Sequence, residues 1–104
     1  MGSLLLAGHD EAGDLIAVGH VGTGFSASMR RHLFELLDPM RRTDPTVVSA
    51  PAVPGAVWVQ AELVGEVDYR EYVAGRWLRH TSWKGLRDGI DPATVAVPPL
   101  TAPH

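Results

Sequence analysis

The sequence predicts a mainly β chain, a small, partly open barrel of five strands with one internal α-helix. Three observations carry this. Short apolar or alternating runs, bounded by clusters of Gly, Asp and Pro, recur along the chain, as in strands separated by turns. Only the stretch from Ala27 toward Pro39 spaces its apolar residues at the helical period. Strand-like sequence stands on both sides of that helix, which suits a small barrel better than an alternating α/β sheet.

Each element follows from local chemistry. Ser3 to Ala7 is a short apolar run that reads as a buried strand. Asp10-Glu11-Ala12-Gly13-Asp14 has the residue types that form turns and tolerate positive φ. Leu15 to Val21 follows as the partner strand, so the two make an antiparallel hairpin. Gly22-Thr23-Gly24 breaks the strand, and Ser26 is placed to cap a helix that begins at Ala27. Met29, Leu33, Leu36 and Leu37 lie on one stripe of that helix, with Arg30, Arg31 and Glu35 off it. Pro39 ends the helix, because the residue before a proline is pushed out of the α region.

Four prolines (Pro39, Pro45, Pro51 and Pro54) mark residues 39 to 56 as an extended surface connector. Val57-Trp58-Val59 then makes a short strand. Leu63, Gly65, Val67 and Tyr69 alternate with Val64, Glu66, Asp68 and Arg70, a period-two pattern with one apolar face. Val73-Ala74-Gly75 is expected to turn the chain, and Arg76 to Leu86 to return as the last strand. The count is two strands, a helix, a connector and three strands. The five-stranded barrel known as the OB-fold is the candidate this count favours. Residues 1–95 would form it, leaving 96–104 as a Pro-rich tail.

Composition bounds the function classes. The 104 residues make one domain with an ordinary 45% apolar and 20% charged content. There is no cysteine, so disulfides and thiolate metal sites are excluded. The early apolar run Leu4 to Ala7 is too short for a signal segment or a membrane span, and a cytoplasmic protein is the expectation. The net charge of −3 argues weakly against nucleic-acid binding, but local charge decides such contacts. From Tyr72 to Arg87 no Asp or Glu occurs, while Arg76, Arg79, Lys84 and Arg87 give a local charge of +4. Trp77 and Trp83 stand among these bases, a combination suited to following a phosphate backbone.

Several patterns have plainer readings. Gly22-Thr23-Gly24-Phe25-Ser26-Ala27 matches G-x-G-x-x-A, yet 104 residues cannot hold two mononucleotide halves. It reads as a tight turn into a helix, with one DNA phosphate at the helix N-terminus as the residual alternative. His9, His20, His32, His80 and His104 show no metal-ligand spacing; His80 reads as a surface histidine with a phosphate contact as the alternative. Glu62, Glu66, Asp68 and Glu71 read as a solvated face rather than paired catalytic carboxylates. In a regular last strand Trp77, Arg79, Thr81 and Trp83 share one side, and a buried unpaired arginine is costly. Either the strand bulges there or part of that face is a binding surface.

Taken in order, GSLLLAG, GHVGTGF, WVQAELVGEVDYREY and GRWLRHTSWKGLRDGIDP resemble the C-terminal domain of bacterial ATP-dependent DNA ligases. The nearest type is the ligase D group used in non-homologous end joining, a pathway of DNA repair and recombination. The resemblance covers residues 2 to 95. It implies an OB-fold that grips nicked double-stranded DNA and closes over the nucleotide site of a separate nucleotidyltransferase domain. ATP and Mg2+ would enter only through that partner domain, with neither bound by this chain alone. The adenylylated lysine of the family sits in a Lys-x-Asp-Gly motif, whereas the only lysine here, Lys84, is followed by Gly85-Leu86-Arg87. The isolated chain is therefore expected not to ligate.

The family's last motif, Arg-x-Asp-Lys, aligns with Arg87-Asp88-Gly89-Ile90. Arg87 matches and is the implied triphosphate contact; Gly89 and Ile90 replace the acid and the lysine, and an isoleucine cannot stabilise pyrophosphate charge. Arg70, Arg76, Arg79 and Lys84 remain as the expected DNA contacts. Two rival readings are a single-strand-binding OB module, stacking bases on Trp77 or Trp83, and a non-catalytic module that docks on a protein partner.

Overall fold

The first hairpin is set by Asp10, whose carboxylate accepts hydrogen bonds from the Ala12 and Asp14 amides at 3.0 and 2.9 Å. This side-chain turn joins Leu4–His9 (β1) to Leu15–Val21 (β2) in the computed structural model of the chain, which describes residues 2–51, 53, 55–73 and 77–99. The two strands pair antiparallel, with a register shift between Leu6 and Ala7 that leaves Val18 as the extra residue. Its carbonyl instead accepts from Leu78 N at 2.8 Å. The bulge thus turns β2 toward the later part of the chain.

Ser26 caps the helix as expected. Its hydroxyl accepts from Met29 N at 3.1 Å, and Ala27–Leu37 (α1) follows. Leu33, only 1% exposed, centres its inner face. Asp38 does not leave the α region as the proline rule predicts: it keeps φ −55° and ψ −44°. Asp38–Met40 continues as one 3-10 turn with Pro39 in its first positions, where a missing amide hydrogen costs no hydrogen bond.

The expectation of five strands in one barrel is met only in its mainly β character. Among the described residues six strands are formed, arranged as three two-stranded antiparallel sheets that do not close into a barrel. The extra strand comes from the connector: Arg41–Arg42 (β3) pairs with Trp58–Val59 (β4), extended by Gln60 N donating to Met40 O at 2.9 Å. Gly65–Asp68 (β5) pairs with Ser82–Leu86 (β6). The expected turn at Ala74-Gly75, together with Arg76, lies outside the described residues. Pairing beyond β5 and β6 is carried by Arg70 N to Arg79 O and Arg79 N to Glu71 O, at 2.9 and 3.0 Å.

A continuous ladder between β2 and residues 78–83 is prevented locally. His80 takes φ +57°, and hydroxyls replace amide partners beside it. Thr81 Oγ1 donates to His20 O at 2.7 Å, and Thr23 Oγ1 donates to Thr81 O at 3.0 Å. Single backbone bonds, Leu78 N to Val18 O and Trp83 N to Thr23 O, join the two sheets. The mainly β character and the single internal helix stand.

Two apolar clusters make the core. Val18, Tyr72 and Leu78 form one; Val21, Leu33 and Trp83 form the other, and Leu6 packs against both. The segment assigned to a loose tail is fastened at its start. His9 N donates to Val95 O and Val97 N to His9 O, each at 2.9 Å, and Val97 packs on the first cluster. Residues 100–104, including His104, lie outside the described residues.

Candidate nucleic-acid interface

Residues 65–87 carry Arg70, Arg79, Lys84 and Arg87, the predicted contacts among the described residues, and two parity changes decide where they point. Alternation places residues of like parity on one face of a strand. Leu78 and Trp83 are both buried although an odd number of residues apart, so the chain must reverse parity between them. His80, with its left-handed φ, lies in that interval. The same happens between Trp83 and Leu86, which both pack on the second cluster. Here the register steps from Glu66 opposite Gly85 to Val67 opposite Trp83, leaving Lys84 as the extra residue. The bulge alternative is therefore the one realised. Trp83 is core, stacked on Phe25 at a centroid distance of 5.3 Å, and Arg79, four residues earlier, stands exposed.

These bulges set the bases opposite acids. Arg79 pairs with Glu71 at 3.1 Å, Lys84 with Asp68 at 3.2 Å and Arg87 with Glu66 at 3.4 Å. All six side chains are half-exposed, so each pair contributes only about 0–1 kcal/mol. Acids occupy β5 and its extension; bases occupy β6 and its flanks. The local +4 read from the sequence is real along the chain but largely neutralised across the hairpin. Arg70 is exposed and, among the described residues, has no ion-pair partner. Arg76 lies outside the described residues.

Glu66, Asp68 and Glu71 are the partners of the candidate bases that strand-by-strand reading missed. Their solvated-face reading is right about exposure and incomplete about partners. The signal lay in the pairing, an acidic strand folding back on a basic one, which is visible only once a register is drawn.

The remaining candidates have structural employment. Gly24 takes φ +89°, and a Cβ there would stand 2.6 Å from Trp83 O, so the glycine motif serves close packing. The helix N-terminus that follows is already capped by Ser26. Arg30 donates to Gly2 O at 2.9 Å and Gly22 O at 3.0 Å while lying 4.9 Å over the Phe25 ring. Trp77 meets His20 edge-on at 5.6 Å and lines an open depression of about 360 Å³ with Asp10, Ile16 and Val48. That depression holds none of the predicted bases. His80 is exposed. In the last motif, Gly89 is left-handed at φ +82° and Ile90 is 41% exposed. Among the described residues no group of three or more His, Asp or Glu could hold a metal ion, and no helix is long and apolar enough to cross a membrane.

Comparison with known proteins adds the decisive observation: residues 1–89 match the family described as the ATP dependent DNA ligase C terminal region. The chain belongs to that family. A ligase C-terminal region is thus the frame for this hairpin. The multifunctional non-homologous end joining protein LigD of Mycolicibacterium smegmatis is 40% identical over 82 residues, 75% of this chain and 11% of that protein. The ligase domain of LigD from M. tuberculosis superposes with a TM-score of 0.84 at 37% identity, over 93% of this chain and 32% of that one. A mycobacterial DNA ligase D complexed with ATP and MES gives a TM-score of 0.79 at 38% identity, over 91% of this chain and 32% of that one. The chain therefore spans about a ninth of this curated relative and about a third of each solved ligase chain.

Proposed function

We propose that this chain is the OB-fold unit of a ligase D type ATP-dependent DNA ligase, acting in the cytoplasm on nicked duplex DNA. It closes over the nucleotide site of a separate nucleotidyltransferase domain. The observation that carries the reading is the superposition of 93% of the chain on the ligase domain of M. tuberculosis LigD. Residues 1–95 are the OB-fold unit in this reading, its strands joined through the backbone bonds at Val18 and Thr23, with 96–104 as an appendage.

Within that frame each side chain has a task. Arg70, Arg76, Arg79 and Lys84 hold DNA phosphates, and Arg87 meets the triphosphate. Weakly held, half-exposed bases suit a domain that must exchange its own carboxylates for phosphates. ATP and Mg2+ arrive with the partner domain; within the last motif only Arg87 fits the triphosphate, since Ile90 offers no charge. When bound, the nucleotide supplies the adenylyl group, and the role of this chain is to orient the leaving phosphates. The Lys-x-Asp-Gly motif is lacking, so the chain alone forms no adenylylated lysine.

Burial of Trp83 against Phe25 removes one of the two stacking platforms that a single-strand module would use. The test is an NMR titration of the labelled chain with nicked duplex, intact duplex and single strand at low salt. Shifts concentrated in Arg70–Arg87 and largest for nicked duplex are expected. Larger shifts with single strand, centred on Trp77, would favour the stacking module. Silence with every DNA would leave a protein-docking role.

A further inference from the structure

We infer that Glu66, Asp68 and Glu71 are specificity-determining residues: they hold the hairpin's bases in a neutralised state that a polyanion displaces and an isolated phosphate does not. This rests on the DNA-binding reading and names what that site discriminates against.

The geometry supplies the argument. Each of the three acids faces one base across the hairpin, at 3.1 to 3.4 Å. A phosphate that takes Lys84 from Asp68 gains one contact, loses another and leaves a carboxylate beside itself. For a single phosphate the exchange yields nothing. Duplex DNA differs because it carries a condensed cation atmosphere. Carboxylates released next to it stand in concentrated cations that screen them, while Arg70, which has no acid partner among the described residues, gives the first contact. The same exchange lowers the salt dependence. Each base that binds releases counterions from DNA, and each freed carboxylate takes part of them back.

The test uses the full chain and the triple variant Glu66→Gln/Asp68→Asn/Glu71→Gln. A control triple, Glu11→Gln/Glu35→Gln/Asp44→Asn, makes the same change in net charge at exposed positions outside the hairpin. Binding of a labelled nicked duplex is followed by anisotropy across a salt series, and binding of inorganic phosphate by NMR. The hairpin triple is expected to bind duplex about ten-fold more tightly at low salt, with a steeper salt slope. It should also acquire binding of inorganic phosphate that the wild type lacks. The control triple should stay near wild type. Equal affinity and slope for wild type and hairpin triple would overturn the inference, as would a control triple that gains as much.

A third variant, Arg79→Gln/Lys84→Gln, separates this from the underlying reading. If it weakens wild-type binding while the acid variant changes nothing, the DNA-binding reading stands and the inference fails alone. Duplex binding by the hairpin triple alone overturns the inference, since a polyanion then fails to displace the acids. No binding by any form overturns both.

Discussion

At the scale of single residues, Trp83 fixes more of this molecule than any other side chain. It is 6% exposed, stacks on Phe25 and lies so close under β5 that a Cβ on Gly65 would come within 2.4 Å of its ring. Its Nε1 is buried without a hydrogen-bond partner among the described residues. Such an omission costs about 1–3 kcal/mol, which the burial of a large ring offsets. The backbone of Trp83 also dictates Gly24, through both close approach and a positive φ. Gly24→Ala should therefore destabilise the fold by about 3 kcal/mol. Gly22 does not take a positive φ, and its nearest neighbour to an added Cβ is Ser3 Cβ at 3.5 Å. Gly22→Ala should cost no more than about 1 kcal/mol. Urea unfolding of the two variants separates them, and equal losses would refute a steric role for the second glycine of the motif. A sequence pattern shared with dinucleotide sites is here a packing device.

At the scale of elements, legibility followed locality. The first hairpin and α1 were readable because their signals are local: an Asp/Gly turn, a serine cap and one apolar stripe ending near a proline. The last strand was not. Its parity changes at His80 and Lys84 exist because Leu78, Trp83 and Leu86 must all reach the core, a demand of tertiary packing that alternation alone cannot express. β3 was hidden for a related reason, since two exposed arginines carry no strand pattern and pair only because Trp58–Val59 comes alongside. The site was half legible. The basic run stands in the sequence, while the acids that face it needed the register. Lys84, as the bulged residue with a half-exposed partner, should be nearly free of structural duty. Lys84→Ala is expected to change stability by no more than about 0.5 kcal/mol. The same variant should weaken duplex binding several-fold at low salt and reduce the salt slope by less than about 0.9, since the Asp68 carboxylate that Lys84 leaves takes part of the counterions back. A thermal melt beside a salt series of binding isotherms checks both halves. Unchanged binding would remove Lys84 from the interface.

At the scale of the whole molecule, the question is how a chain of net charge −3 that spans about a ninth of a multifunctional relative would perform the role proposed for it. Its two core clusters, bridged by Leu6, hold the hairpin on one framework, and the last motif follows directly from the end of β6. Arg87 is there, with its amide tied to Val64 O at 2.8 Å and its guanidinium lightly held by Glu66. Two residues on, Gly89 takes a left-handed φ that an aspartate would adopt only under strain. Restoring the family's acid is therefore a poor experiment, whereas Ile90 is well exposed and its replacement by lysine disturbs no core contact. Supplied to a LigD nucleotidyltransferase domain that lacks its own C-terminal region, the wild-type chain should support slow transfer of AMP from labelled ATP to that domain's lysine. Arg87→Ala should slow the transfer about 100-fold, the scale of removing one preorganised charge from a reacting phosphate. Ile90→Lys should speed it about ten-fold, because a second cation then meets the leaving pyrophosphate. If Arg87→Ala slows transfer and Ile90→Lys leaves it unchanged, the chain past β6 does not carry position 90 to the triphosphate, and this motif acts through its arginine alone.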